Sequence, residues 1–298
     1  AFGATINAEM EGALTFNSAG TLTLTANNSA NFNGSHQVGS AGTLVIDNDN
    51  ALGDGTGNLA VSGAGTVDVT GNNLAINDIS VSGSSNLSGG TVTVGGQATL
   101  VDGTVSSTLQ GAGNVVTNTG TTTLNGGQIS VTGTTTVSGG TLNVDATSVI
   151  GATTTVAVNG GTLANAGTIG ADTTVNTGGT FDSAGTTGNV TVAGGTLNQT
   201  AGTIATLDSN TAGSVSNLTG GSVTGTTTIS NGTVNVGDGA NDGTLTGTTT
   251  LSGGTLNVNS GSVGTVNGSA GNMTVAETGN GSPTVALAGW RPRSTSGI

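Results

Sequence analysis

The chain has 298 residues, including 57 Gly, 59 Thr and 32 Asn, with 6% charged and 2% aromatic residues. Its formal net charge is −13, and Arg291 and Arg293 are its only Lys or Arg residues. Nucleic-acid binders need a basic surface, disulfide scaffolds and thiolate metal sites need Cys, and ordinary globular proteins are about a quarter charged, so the composition argues against all three classes.

In chain order, a repeat region is assigned to residues 1–278, with residues 1–20 as its N-terminal cap. The clearest repeats are TGTTTVSGGTLNV at 132–144, TGTTTISNGTVNV at 224–236 and TGTTTLSGGTLNV at 246–258. Small polar and aliphatic residues alternate over four or five positions until Gly, Asn or Ser interrupts. This pattern predicts short half-buried strands ending in tight turns with positive-φ Gly corners, and no helix.

Short strands and a repeat period of about 20 residues predict an all-β fold, a parallel β-solenoid forming a single elongated rod. About 14 turns stacked ~4.8 Å apart give a length of roughly 65–70 Å. A propeller or sandwich is the competing architecture, but those folds use antiparallel hairpins and commonly aromatic cores. The residues expected to face inward are Val92, Val94, Leu124, Ile129, Val131, Val137, Leu142, Val144, Val156, Val158, Leu163, Leu197, Ile229, Val234, Val236, Leu251, Leu256 and Val258.

Residues 42–69 read GTLVIDNDNALGDGTGNLAVSGAGTVDV and are followed by many GGTLNV-like units. A Gly-Thr-Leu strand that leads to an Asn-Ala-Leu-Gly turn, here at residues 50–53, resembles the passenger-associated repeats of Gram-negative autotransporters. The resemblance covers about residues 12–278. It implies a right-handed β-helix, secretion to the cell surface, and adhesion, aggregation or display. The ending GWRPRSTSGI does not resemble the translocator of those proteins, which predicts an excised passenger or a likeness in the repeat only.

Two turns concentrate acidic residues: Asp47, Asp49 and Asp54 lie in DNDNALGDG, and Asp238 and Asp242 lie in GDGANDG. Carboxylate and carbonyl oxygens suit Ca²⁺, so both turns are candidate cation sites. Asp also caps turns with its own side chain, and neither the nonapeptide calcium repeat nor the EF-hand loop is matched. Turn capping is the favoured interpretation, so no cofactor is expected, and Ca²⁺ is the lesser alternative.

The acidic residues are too scattered to align as a catalytic carboxylate pair. His36, the sole histidine, lies in NGSHQVGS, which we interpret as a polar turn. We therefore predict a solvated loop residue rather than the base of a triad. The protein is expected to be non-catalytic, with a glycan-cleaving β-helix enzyme as a lesser alternative.

Thr triples recur along the repeats, and the outer members of each triple are expected to share one outward face. A stacked Thr face resembles ice-binding solenoids only in its Thr-x-Thr element, and Thr is also a simple strand former for an uncharged surface. The triples are Thr121–Thr123, Thr134–Thr136, Thr153–Thr155, Thr226–Thr228 and Thr248–Thr250.

Residues 279–298 break the repeat and are assigned as a C-terminal tail or cap. Trp290, Arg291 and Arg293 are a candidate contact with a neighbouring subunit, because they are a rare aromatic residue and the only Arg residues of an anionic chain.

Together these features predict a secreted or cell-surface bacterial stalk, adhesin or display module. Its expected partner is a host surface, a neighbouring cell or a glycan. The alternative is a self-associating head-to-tail filament, since a heterologous contact that does not close by rotation propagates. A nucleic-acid partner is not expected. The sequence contains no run of 18 apolar residues, so no transmembrane helix is predicted. No signal-peptide pattern precedes the repeats.

Overall fold

A computed structural model describes residues 2–275 and 283–288. Every regular element in these ranges is a β-strand, and they contain no helix, hence none able to cross a membrane. The chain divides into two compact units, unit 1 (Ala1–Ala171) and unit 2 (Asp172–Ile298). Parallel strands stack turn upon turn, with about 15 turns across the two units, which confirms the predicted β-solenoid.

Unit 1 contains 23 described strands of two to five residues. They are β1 (Phe2–Ile6), β2 (Thr15–Phe16), β3 (Gly20–Leu24), β4 (Ser35–Val38), β5 (Gly42–Ile46), β6 (Asn58–Val61), β7 (Thr66–Asp68), β8 (Asn73–Ile76), β9 (Asp78–Val81), β10 (Ser85–Ser88), β11 (Thr91–Val94), β12 (Gln97–Leu100), β13 (Gly103–Val105), β14 (Thr108–Gly111), β15 (Asn114–Thr117), β16 (Thr121–Leu124), β17 (Gln128–Val131), β18 (Thr134–Val137), β19 (Thr141–Val144), β20 (Val149–Ile150), β21 (Thr155–Val158), β22 (Thr162–Asn165) and β23 (Thr168–Ile169).

Unit 2 contains 15 described strands of two to eight residues. They are β24 (Asp172–Asn176), β25 (Thr180–Ser183), β26 (Thr186–Ala193), β27 (Thr196–Gln199), β28 (Thr203–Ser209), β29 (Val215–Leu218), β30 (Ser222–Val223), β31 (Thr227–Ile229), β32 (Thr233–Val236), β33 (Thr244–Leu245), β34 (Thr249–Leu251), β35 (Thr255–Val258), β36 (Ser262–Gly268), β37 (Asn272–Val275) and β38 (Thr284–Ala288).

In unit 1 the strands form three parallel ladders, and from β7 onward each complete turn of the chain adds one strand to each, whereas β1 to β6 alternate between the first and third ladders. The first ladder is β1, β3, β5, β7, β10, β13, β16, β19 and β22. The second ladder is β8, β11, β14, β17, β20 and β23. The third ladder is β2, β4, β6, β9, β12, β15, β18 and β21.

In unit 2 one ladder consists of β25, β27, β29, β32, β35 and β37. The remaining sides are formed by one long strand in some turns and by two short strands in others. The long strand β28 pairs with β30 at one end and with β31 at the other. The next short strands, β33 and β34, both pair with the long strand β36. The strand β38, which lies in the predicted tail, pairs in parallel with β36.

The number of residues in one full turn of the solenoid varies, while the register between paired strands is kept. The turn that brings Thr196 beside Thr180 is markedly shorter than the turn that brings Thr66 beside Thr43. Extra residues enter at the corners, where Gly is required at specific positions. Gly140 has φ 63°, and a Cβ there would collide with the carbonyl oxygen of Gly120. Only Gly combines a readily accessible positive φ with the absence of a Cβ, which confirms the predicted positive-φ corner of the Ser-Gly-Gly repeat.

Alternating side chains build the interior, as the strand period requires. All 18 aliphatic residues predicted to face inward are at most 2% exposed. The register aligns them in columns, such as Leu22, Leu44 and Val67 of the first ladder. The five Thr triples follow the same alternation: the middle Thr of each triple is buried, and the two outer Thr residues face outward, as predicted. The buried residues are Thr122, Thr135, Thr154, Thr227 and Thr249.

Candidate functional site

An open groove of about 520 Å³ lies on the outer face of the third ladder in unit 1. The strands β4, β6, β9 and β12 form its floor, and alternate residues of each strand point into it. These side chains form two ranks, one residue per strand in each rank. The first rank is Ser35, Asn58, Asp78 and Gln97, and the second is Gln37, Ala60, Ser80 and Thr99.

Hydrogen bonds fix several polar groups of this groove. One carboxylate oxygen of Asp78 accepts the backbone N–H of Gln97 at 2.7 Å, and the other accepts the Asn77 side-chain amide at 3.2 Å. The Asn58 side-chain oxygen accepts the Asp78 backbone N–H at 3.2 Å. The Gln97 amide donates to the Thr99 hydroxyl at 2.9 Å. The groove therefore presents oriented amide, hydroxyl and carboxylate groups.

His36 lies beneath this groove, and the prediction of a solvated loop residue is wrong. It is an inward residue of β4 and only 1% exposed. Its Nδ1 accepts the Leu14 backbone N–H at 3.1 Å, which leaves Nε2 to carry the proton toward the carbonyl oxygens of Phe32 and Leu52. Burial lowers the pKa of His36, against the opposing effect of the two carbonyls. His36 is thus a neutral core residue.

The second polar array, the asparagine ladder, follows the outer face of unit 2. It comprises Asp182, Asn198, Asn217, Asn235 and Asn257, in register on five successive strands. Each Asn amide donates to the side-chain oxygen of the preceding member, at 2.8, 2.9, 2.8 and 2.8 Å along the chain. This array was not predicted from the sequence: an Asn recurs in the GGTLNV-like units, but its spacing along the chain is uneven.

Two of the predicted cation-site residues act as turn caps. The Asp54 carboxylate accepts the Thr56 hydroxyl at 2.6 Å and its backbone N–H at 3.0 Å. The Asp238 carboxylate accepts the backbone N–H groups of Ala240 and Asn241 at 2.9 and 2.7 Å. These hydrogen bonds lower the pKa of both carboxyl groups by stabilising the charged form.

The other predicted cation-site residues are exposed. Asp49 accepts the backbone N–H of Asn73, in the following turn, at 2.7 Å. Asp47 and Asp242 also lie on the surface. Within residues 2–275 and 283–288, no three His, Cys, Asp or Glu side chains converge as metal ligands, and Ca²⁺ binding stays a prediction. Asp145 was not singled out, yet hydrogen bonds, chiefly from the Ser148 hydroxyl, lower its pKa to about 2.

The predicted assembly contact, Trp290, Arg291 and Arg293, lies outside the described residues. Comparisons of the chain with protein-family models, with curated proteins and with solved structures found no match.

Proposed function

We propose that the chain is a non-catalytic structural and adhesive module of the bacterial exterior, a passenger-like β-solenoid that presents binding surfaces away from the cell. One observation carries the proposal. In unit 2 the parallel backbone ladders are joined by a second set of turn-to-turn bonds, the asparagine ladder from Asp182 to Asn257. Backbone and side-chain bonds that run in the same direction resist separation of the turns, which suits a load-bearing module.

The environment of His36 supports the non-catalytic part of the proposal. A general base needs an accessible nitrogen with a pKa near the working pH. Both ring nitrogens of His36 are engaged by backbone groups, and burial keeps the ring neutral. The histidine therefore stabilises the fold around Leu14 and Leu52 rather than facing a substrate.

Surface display tests this function. The chain is fused to a translocator in a Gram-negative host, and cell aggregation and retention on mucin-coated glass are measured against a host that displays the translocator alone. We expect a several-fold increase in at least one of the two measurements. Equal values for the two hosts, with display verified by antibody labelling, would contradict the proposal.

A head-to-tail filament is the second candidate, and exposed apolar residues favour it. Val275 is 49% exposed and is in register with buried Val258, and Leu287 is 58% exposed and is in register with buried Val266. These columns would continue into a second copy of the chain stacked on β37 and β38. Light scattering over a concentration series is expected to show growing mass that Leu287→Lys abolishes. A constant monomer mass would rule out the filament.

A further inference from the structure

We infer that the groove over β4, β6, β9 and β12 binds a neutral glycan. The inference rests on the proposed adhesive function and gives it a site and a ligand class. The groove volume of about 520 Å³ falls within the range of roughly 300–1,000 Å³ that is usual for ligand sites.

The charge of the lining selects against charged ligands. Among the described residues, Asp78 and the buried, neutral His36 are the only ionisable ones that line the groove. A polyanion would meet a carboxylate without a compensating cation there. A cation would find Asp78 as the single carboxylate among the described lining residues, whereas Ca²⁺ takes roughly six to eight oxygen ligands. A neutral polar ligand is not repelled by the carboxylate and does not need several carboxylates to bind it.

The pattern of hydrogen-bonding groups suits a polyol. Equivalent side chains on neighbouring strands are about 4.8 Å apart, and the two ranks are about 6.6–6.8 Å apart along each strand. Amides and hydroxyls such as those of Gln37, Asn58 and Ser80 both donate and accept, as sugar hydroxyls do. Asp78 retains acceptor capacity, because a carboxylate has about four lone-pair sites.

Ala60 gives the groove its depth. It lies between Gln37 and Ser80 in the second rank, where its methyl group leaves room that a longer side chain would fill. The methyl group also supplies a small apolar floor for the C–H face of a sugar ring.

Strand addition by a peptide is disfavoured at this site. It needs an unpaired sheet edge, and β6 and β9 are paired on both sides within the ladder. A ligand must therefore contact side chains on the face rather than backbone groups at an edge, which again favours an oligosaccharide.

Affinity electrophoresis tests the inference. The purified chain is run in native gels that contain laminarin, dextran, yeast mannan or galactan as neutral probes, or alginate as an acidic comparison. We expect at least one neutral probe to retard the chain and alginate not to do so. Ala60→Trp should weaken the retarding interaction at least tenfold by filling the groove. Ala157→Trp is the matched control, because Ala157 faces outward on β21 of the same ladder, beyond the groove.

Gln37→Ala keeps the test independent of folding, since it truncates an exposed side chain at the groove and should weaken retardation several-fold. Retardation by alginate alone, by no neutral probe, or equally in wild type and both groove variants would overturn the inference. Adhesion of displayed cells without glycan retardation would overturn the groove assignment and leave the proposed function standing. Glycan retardation without adhesion of displayed cells would support the groove assignment and contradict the proposed adhesive function.

Discussion

The same tetrapeptide, Thr-Leu-Asn-Val, occurs at residues 141–144 in unit 1 and 255–258 in unit 2, and its Asn plays different roles. In both copies the Leu is buried and the Asn faces outward. Asn143 is in register with Thr123 and Ala164, whose side chains carry no amide group. The side-chain amide of Asn257, by contrast, donates to the side-chain oxygen of Asn235 at 2.8 Å. A side-chain ladder thus depends on the residues in the neighbouring turns, and a local motif does not determine it.

The interiors of the two units also differ. Among the described residues, 38 hydrophobic and ten polar residues are buried in unit 1, against 18 and ten in unit 2. Several inward hydroxyls of unit 2, including those of Thr227 and Thr249, have no hydrogen-bond partner among the described residues. Unit 2 therefore combines a more polar interior with a hydrogen-bonded exterior, and the following substitutions test how far each contributes to its stability.

Truncation of the core should have the largest effect. Phe181 is fully buried in unit 2, and Phe181→Ala is expected to lower the free energy of unfolding by about 3–5 kcal/mol, because it removes a large apolar side chain and leaves a cavity. Leu124→Ala in unit 1, expected at about 2–5 kcal/mol, is the counterpart. Denaturant unfolding followed by circular dichroism measures both. A loss below about 1 kcal/mol for Phe181→Ala would mean that the ladders rather than the core stabilise unit 2.

The asparagine ladder should have the next largest effect. Asn217→Ala removes two hydrogen bonds, which are each worth about 0.5–1.5 kcal/mol, so a loss of about 1–3 kcal/mol is expected. Asn143→Ala in unit 1 is the control and should change stability by no more than about 0.5 kcal/mol. Equal losses for the two variants, measured by the same unfolding method, would remove the distinction between the units.

Replacement of an inward hydroxyl should stabilise unit 2. Thr249→Val keeps the shape of the side chain and removes a buried hydroxyl without a partner, so a gain of about 1 kcal/mol is expected. Thr250→Val, at the neighbouring outward position, should be neutral within about 0.5 kcal/mol. Destabilisation by Thr249→Val would show that the hydroxyl contributes favourably to the interior.

The smallest effect is expected from the pH dependence of unit 1. The pKa of His36 is lowered from 6.5, so between the folded pKa and 6.5 the unfolded chain binds more protons than the folded chain. The stability from neutral His36 is fully present above 6.5 and is lost as pH falls through its folded pKa. Nuclear magnetic resonance of the single imidazole should show a midpoint below 6.5. A midpoint at or above 6.5 would contradict the burial argument.

Properties that repeat along the sequence were predictable, and those that depend on contacts between turns were not. Alternation placed Val137 and Leu256 inward, and the Ser-Gly-Gly repeat indicated the corner at Gly140, because both follow from local backbone geometry. His36 was misassigned because its neighbours in sequence are polar, while its burial comes from Phe32, four residues earlier, and Leu52, one turn away.

The candidate surfaces were the least predictable part. Successive ladder residues such as Asn198, Asn217, Asn235 and Asn257 are unevenly spaced along the chain, so no fixed period reveals the array. The groove depends on Ala60 being in register with Gln37 and Ser80, which is a property of strand pairing.

Variation in turn length at constant register makes the corners natural sites for grafting foreign sequence. The segment between Val236 and Thr244 connects β32 with β33, each of which pairs with strands of the neighbouring turns. Asp238 closes a tight turn in this segment by accepting hydrogen bonds from Ala240 and Asn241. Because loop closure costs only about 0.6 kcal/mol for each doubling of length, an epitope inserted at this corner would leave the strand pairs on either side in place. The fold therefore offers a scaffold on which sequences of different length can be presented at defined positions along a regular surface.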